Sequence, residues 1–217
     1  MKKIAIFGAG GFGREVAMLI GQINSTSPEW EFIGFYDDAV KKDEKVNGAK
    51  VLGGMNELNE CAEELAVVFA IGNPITKRKL HRLVTNKQIY YPSVIHPNVL
   101  IGDRQFVQIG NGCIIGAGTI ITVNISIGNH VILNLGCTVG HDTIIHDYCS
   151  FMPSVNISGE VILNEAVYAG TGAKIINRVE VGENTILGAG AVVSKNLPPN
   201  CTAVGIPAKP IKFHEHA

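Results

Sequence analysis

Two hydrophobic periods divide the chain. Up to about residue 90, short apolar runs alternate with longer segments of helical spacing. "KIAIFG" reads as a strand and "GREVAMLIGQI" as an amphipathic helix after a glycine-rich turn. "EFIGFYDD" is a second strand that closes on two acids, and "LAVVFAIG" is a third. "NPITKRKLHRLVTN" is a polar-faced helix with Pro74 near its start. This alternation predicts a parallel sheet with flanking helices, a small Rossmann-like unit over residues 1–92. The unit is too short for both halves of a complete dinucleotide-binding domain.

From about residue 93 the period becomes six. Counting by six from Ile109 reaches fifteen positions, ending at Val193, and every one is apolar. Four residues after each lies a second register of small or β-branched residues, among them Cys113, Thr119, Ile125, Val131 and Cys137. The residue just after the first register is often glycine, as at Gly110, Gly116, Gly128, Gly140, Gly170, Gly182 and Gly188. A sustained hexapeptide repeat predicts a parallel β-helix over residues 93–217. Two apolar positions in six fill the interior, and the glycines are expected to relieve the corners. Ile95 and Ile101 are out of phase by two residues, which predicts an irregularity at "DRQFVQ". The tail "VGIPAKPIKFHEHA" leaves the repeat and is expected to form an extended cap.

Composition narrows the function. With 18 basic and 19 acidic residues and no basic run, nothing recommends a nucleic-acid or anionic-membrane partner. The start "MKKIAIFGAGGFGREVAMLI" imitates a signal peptide, but its glycines and Arg14-Glu15 cut the apolar run short. No stretch is apolar enough for a transmembrane helix, and the expected compartment is the cytoplasm. Five cysteines without a CxxC pair, three of them in an inward phase, are expected to be core residues rather than disulfides or metal ligands.

Of the seven histidines, His81 is expected on a solvated helix face, His96 in a structural role and His130 at a polar turn. His214 and His216 fall in a tail expected to be mobile. His146 occupies a corner slot. His141 differs: it lies two residues beyond the inward Val139, so its ring belongs outside the helix. One coil of 18 residues later comes Gly159, and one coil earlier Val123. A histidine beside a glycine leaves room for a ligand to approach bare backbone, where an N–H can stabilise an oxyanion. An imidazole is suited to take the proton of an attacking amine or hydroxyl. Asp142 can orient that imidazole only if the chain turns between them, because successive strand residues face opposite ways.

The hexapeptide stretch resembles the left-handed β-helix acyltransferases, and "AVGIPAKPIK" looks like their closing motif. Joined to "GAGGFGREV", it is similar to bacterial sugar O- and N-acetyltransferases. These include the sialic-acid O-acetyltransferase-like enzymes and those acting on nucleotide-linked amino sugars. The resemblance implies a homotrimer with acetyl-CoA in the groove between neighbours. It also implies N-acetylation of a nucleotide-linked 4-amino-4,6-dideoxy sugar, with a sialic-acid-type O-acetyltransferase as the alternative. By the same resemblance His141 is the general base, with Asp142 where relatives commonly have Glu, and Asn134 in support. Gly159 supplies the oxyanion-type amide, and Thr171 and Ala189 line the acetyl and pantetheine path. Ser150 stands where many relatives carry a second active-site histidine, and is expected near the cofactor.

"GAGGFG" between a strand and a helix fits GxGxxG, in which glycines let backbone approach phosphates at a helix N-terminus. The resemblance assigns Gly10, Gly11, Phe12 and Asp37 to the acceptor's nucleotide diphosphate, with Phe12 replacing a histidine of some relatives. Asp37 and Asp38, closing the second strand, are placed for ribose or base. A nicotinamide cofactor would need a second half-sheet and a reductase domain, and the β-helix takes up the remaining chain. The γ-class carbonic anhydrases share the β-helix and bind zinc through three histidines, two of them spaced like His141 and His146. The third position here is Gln105, so no metal is expected.

Overall fold

The computed structural model describes residues 1–214, and the two periods become two sheet systems. The first contains β1 (Lys2–Phe7), α1 (Gly11–Thr26), β2 (Trp30–Tyr36), β3 (Lys45–Val46), β4 (Ala49–Gly53), α2 (Met55–Asn59), β5 (Leu65–Phe69), α3 (Pro74–Leu83) and β6 (Ile89–Tyr90). The sheet order is β3-β4-β2-β1-β5-β6. β5 is buried along its whole length, as is the second half of β1, which is why both read as continuous apolar runs. β3, β4, α2 and β6 are additions to the expected elements. β3 and β4 pair antiparallel through Asn47-Gly48, both at positive φ, the conformation that a tight Asn-Gly hairpin turn requires. Among the described residues no helix is long and apolar enough to cross a membrane.

The change to the second system falls between β6 and the strand Val94–Ile95. From there each six residues give one short strand and one corner, and three strands complete a coil. Parallel pairing advances by 18: Ile114 pairs with Ile132, Ile132 with Ser150, Ser150 with Tyr168, and Tyr168 with Ile186. The three faces hold eight, six and five strands. Both apolar registers point inward, and Cys113, Cys137 and Cys149 are buried with free thiols. Burial pushes the Cys149 thiol up to about 12 and that of Cys137 to about 11. The irregularity at "DRQFVQ" is a 3-10 turn, Arg104–Phe106, inserted into the first coil. In the tail, Cys201–Gly205 extends the first face and Ala208–Phe213 folds back against it antiparallel. His216 lies outside the described residues.

The corner glycines have a different task from the one expected. The left-handed corner sits two residues further on: every sixth residue from Gly112 to Gly190 has φ between +55° and +74°. At every such corner but Gly118 and Asn124, that conformation turns the N–H along the coil axis, where it donates to a backbone carbonyl of the preceding coil. Examples are Asp142 N–H to Val123 O and Tyr148 N–H to Asn129 O. Asn, Asp, His, Tyr, Ser, Glu, Ala and Arg all accept the strain, of about 1–2 kcal/mol each, to make this bond. The glycines seen in the sequence instead permit close stacking. A Cβ on Gly140 would lie 2.6 Å from the Gly159 nitrogen, and one on Gly170 would lie 2.6 Å from the Ala189 nitrogen.

The α/β unit lies on the first face. Buried residues of α1, Val16, Leu19 and Ile20, belong to one core cluster with Val94, Ile114 and Ile132. Further along, α3 makes polar contacts. Lys77 Nζ donates to Ser150 Oγ at 2.9 Å, and Arg78 pairs with Glu165 at 2.7 Å. His81 is not on a solvated face: it is half-buried, its Nδ1 lies 2.8 Å from the Tyr148 hydroxyl, and its ring packs on His130. His130, expected at a polar turn, is a corner residue but a buried one, stacked on Tyr148.

Candidate active site

The corner between the second and third faces carries His141, Asp142 and Gly159. Asp142 is a left-handed corner residue with φ +56°, so the chain does turn between it and His141. Their side chains meet, with His141 Nδ1 2.8 Å from Asp142 Oδ2. Asn124, one coil earlier in the same column, donates its amide to Asp142 Oδ1 at 2.9 Å. The Asn124 amide and the His141 ring together hold the Asp142 carboxyl below the usual carboxylate range. With Nδ1 engaged, Nε2 is the nitrogen left to face a substrate.

That nitrogen lies over Gly159. A Cβ built on Gly159 would meet His141 Nε2 at 2.5 Å and Cε1 at 2.6 Å, so the ring occupies the space a side chain would take. Gly159 does not have the positive φ that favours glycine, so packing of His141 is the structural reason for it. Among the described residues the Gly159 N–H has no hydrogen-bond acceptor. An imidazole and an unspent backbone donor therefore stand side by side on an exposed edge, with the His141 side chain 58% accessible.

Asn134, Thr171 and Ala189 lie on another edge, between the first and second faces. The Thr171 and Ala189 N–H groups likewise have no acceptor among the described residues. Asn134 is mostly buried, its Oδ1 accepts the Leu135 N–H at 2.7 Å, and it shares a groove with Phe12 and His96 beneath α1. Within one protomer the expected catalytic set is thus split between two edges of a triangular prism. Ser150 is at neither edge. It is fully buried under α3, bonded to Lys77, and is withdrawn from the residues that could touch a cofactor.

In the glycine-rich loop, Gly8 and Gly13 have packing reasons: Gly8 has φ +109°, and a Cβ on Gly13 would strike the Gly8 carbonyl. Gly10 and Gly11 have none. A Cβ on Gly10 would meet nothing within 4 Å, and one on Gly11 only the Arg14 guanidinium at 3.9 Å. They leave bare backbone at the start of a 16-residue helix without a side-chain cap or an acidic first turn. That is the arrangement that receives a phosphate. Arg14, missed in the sequence, adds a guanidinium one turn into the same helix. Asp37 accepts N–H groups from Ala9 and Ala39, each at 2.8 Å, so it holds the loop in place. Asp38 Oδ1 accepts the Met55 N–H at the start of α2.

His146 is exposed, and Gln105 bonds to Asp103. No group of three metal-ligating side chains occurs among the described residues.

Residues 3–84 match the model of the PglD N-terminal domain. Over nearly its full length the chain is 30% identical to the GDP-perosamine N-acetyltransferase of Escherichia coli O157:H7, with 98% of this chain and 97% of that protein aligned. The structure superposes on WeeI from Acinetobacter baumannii AYE with a TM-score of 0.86 and 32% identity, covering 97% and 100% of the two chains. It superposes on a histidine-to-asparagine variant of perosamine N-acetyltransferase from Caulobacter crescentus, in complex with CoA and GDP-perosamine, with a TM-score of 0.85 and 27% identity, covering 98% of each. The shared fold is a Rossmann-like parallel sheet followed by a left-handed β-helix. By the full-length match, the chain belongs to the PglD-like family of hexapeptide-repeat acetyltransferases.

Proposed function

We propose that this enzyme transfers the acetyl group of acetyl-CoA to the amine of a nucleotide-linked 4-amino-4,6-dideoxy sugar, with His141 as general base. The observation that carries the assignment is the contact between His141 and Gly159, with Nδ1 fixed by Asp142 and Nε2 free. The amine nitrogen attacks the thioester carbon and passes its proton to His141 Nε2 as the C–N bond forms. Negative charge collects on the former carbonyl oxygen, which the Gly159 N–H is placed to receive. Collapse breaks the C–S bond, and CoA leaves as a thiolate that is protonated by the imidazolium or solvent. Asp142 holds the ring in the tautomer that presents a bare Nε2 and stabilises the imidazolium. General-base help of this kind is worth roughly 10²–10⁴ in rate, and an oxyanion donor roughly 10²–10³.

Gly10, Gly11 and Arg14 receive the acceptor's diphosphate at the N-terminus of α1, with Asp37 shaping the loop. Phe12 and Asn134 flank the sugar where the loop meets the β-helix. Amides at Thr171 and Ala189 line the path of acetyl-CoA. Because these groups and His141 lie on different edges, the site requires a second protomer, and the assembly is a homotrimer with edges meeting pairwise. Leu100, Ile120, Val123 and Leu135 support that packing, being exposed apolar residues on or beside the second face. Supply of acetyl-CoA and nucleotide sugar, and five free cysteines, support a cytoplasmic location.

The test follows CoA release from acetyl-CoA against UDP-, dTDP- and GDP-linked amino sugars and sialic acid. Release with an amino-sugar nucleotide, lost in His141→Ala, is expected. Release with sialic acid alone would reassign the enzyme as an O-acetyltransferase, and equal activity of His141→Ala would remove the base.

A further inference from the structure

A cavity of about 360 Å³ opens where the start of α3 overhangs the last coils, away from the residues assigned to acetyl transfer. Asn73 forms its roof. Tyr168 and Ile186, paired in register on the first face, form its floor. Asn184 and Asn200 make one wall, and His214 closes the C-terminal side. Its size is at the low end of the range of small-molecule sites, roughly 300–1,000 Å³.

Apart from His214, its polar side chains are amides and a phenol, and they are partly unspent. Asn184 Nδ2 donates to Asn200 Oδ1 at 2.9 Å, yet Asn184 Oδ1 is buried and accepts from no group among the described residues. Asn73 uses its Oδ1 to cap α3, accepting the Thr76 N–H at 2.9 Å, which leaves its amide N–H groups. His214 Nε2 is engaged by the Thr202 hydroxyl at 2.9 Å. Among the described residues no Lys, Arg, Asp or Glu lines the space, so a phosphate or carboxylate would find no permanent counter-charge there. A buried carbonyl oxygen needs a donor, and an aromatic–aliphatic floor suits the face of a flat ring. An edge that both donates and accepts would satisfy the amides above it.

We propose that this cavity binds the neutral heterocycle of a purine nucleobase, its face on Tyr168 and Ile186 and an N–H donating to Asn184 Oδ1. The base belongs to a free nucleoside or nucleotide, to CoA, or to the acceptor, and the three are separable by competition. The inference stands apart from the identity of the acetylated sugar.

Adenosine and guanosine are titrated calorimetrically into the full chain, alone and with saturating CoA or GDP. Binding of one nucleoside per chain is expected. Asn184→Gly, which keeps the left-handed backbone but removes the amide, should weaken it about tenfold, the equivalent of one buried hydrogen bond. Ile186→Trp should abolish it by filling the cavity, and thermal unfolding of both variants checks that they fold. With these losses seen, displacement by CoA alone identifies the coenzyme's adenine, displacement by GDP alone the acceptor's base, and persistence with both a separate ligand. If neither nucleoside binds, or if both bind wild type and Asn184→Gly equally, the proposal is overturned.

Discussion

Replacing Gly159 with alanine separates the catalytic role of the His141 contact from any structural one. The new Cβ would stand 2.5 Å from His141 Nε2, whereas ordinary contact begins at 3.4 Å, so the ring must retreat by about 0.9 Å. Such a retreat breaks the 2.8 Å contact to Asp142 or swings Nε2 off its line to the amine. Displacing a catalytic group by about 1 Å costs roughly 10²-fold in rate, or about 2.7 kcal/mol of transition-state stabilisation. Stability should change little. Gly159 has no positive φ, so alanine adds no backbone strain, and the about 0.4–1 kcal/mol gained through the unfolded chain offsets displacement of an exposed ring. Gly140→Ala is the control, because its Cβ would press on the backbone of the next coil and lower the Tm. Steady-state CoA release and thermal unfolding are measured on both variants. A Gly159→Ala enzyme with kcat within about twofold of wild type would refute the argument that the glycine serves the histidine.

Asp142→Asn keeps the corner conformation and removes the carboxylate. It should lower kcat by roughly 10- to 100-fold, less than the ~10⁴ known where such a carboxylate is fully buried, because Asp142 is half exposed. Unchanged kcat would leave Asp142 as a corner residue only. Ser150→Ala leaves the Lys77 amine, 1% exposed and pushed down to about 7 by burial, without its hydroxyl partner. It should cost about 1–3 kcal/mol, while Lys77→Met with Ser150→Ala should recover that loss in urea unfolding. Acidification should loosen the α3 interface. Burial, with help from His81 and Lys77, pushes His130 down to about 3, well below its unfolded value of 6.5. The folded state therefore binds fewer protons between those values, so stability is full above pH 6.5 and falls as the pH drops towards 3. In His130→Asn the fall in Tm between pH 7 and 4 should be smaller, and an identical fall would exclude His130 as its source.

The β-helix was legible because every coil imposes the same demand on the same two positions, from Ile109 to Val193. Its corners were not, because the left-handed position is fixed by a backbone bond to the previous coil and admits eight residue types besides glycine. Asp142 could be named but not placed for the same reason: strand alternation says it faces away from His141, and the corner reverses that. The surroundings of His81 and His130 are not legible in sequence because a basic helix and a polar turn only meet in three dimensions, where Tyr91, Tyr148 and Phe69 surround them. Only the family resemblance points Ser150 towards the cofactor, and a resemblance of the β-helix says nothing about α3 lying on top of it. The stacking of His141 on Gly159 was legible, since 18 residues separate neighbours in any column of a regular coil.

A regular repeat gives every coil an equivalent edge, so the site must arise from how neighbouring coils differ. Along the edge that carries the histidine, one column reads Val123, His141, Gly159, Asn177, and the next reads Asn124, Asp142, Glu160, Arg178. In the first column a large polar ring is followed by an absent side chain, and only that order leaves both a base and an open N–H. In the second, two carboxylates are stacked on adjacent coils, an arrangement that would raise the pKa of Asp142 if nothing intervened. Arg178 instead draws Glu160 to itself, with Nε 3.1 Å from each carboxylate oxygen, while Asn124 holds Asp142 from the other side. The hydrogen bonds from Asn124 and from the His141 ring lower the Asp142 carboxyl, so Asn124, which does not touch His141, helps preserve the charge that keeps its ring in place.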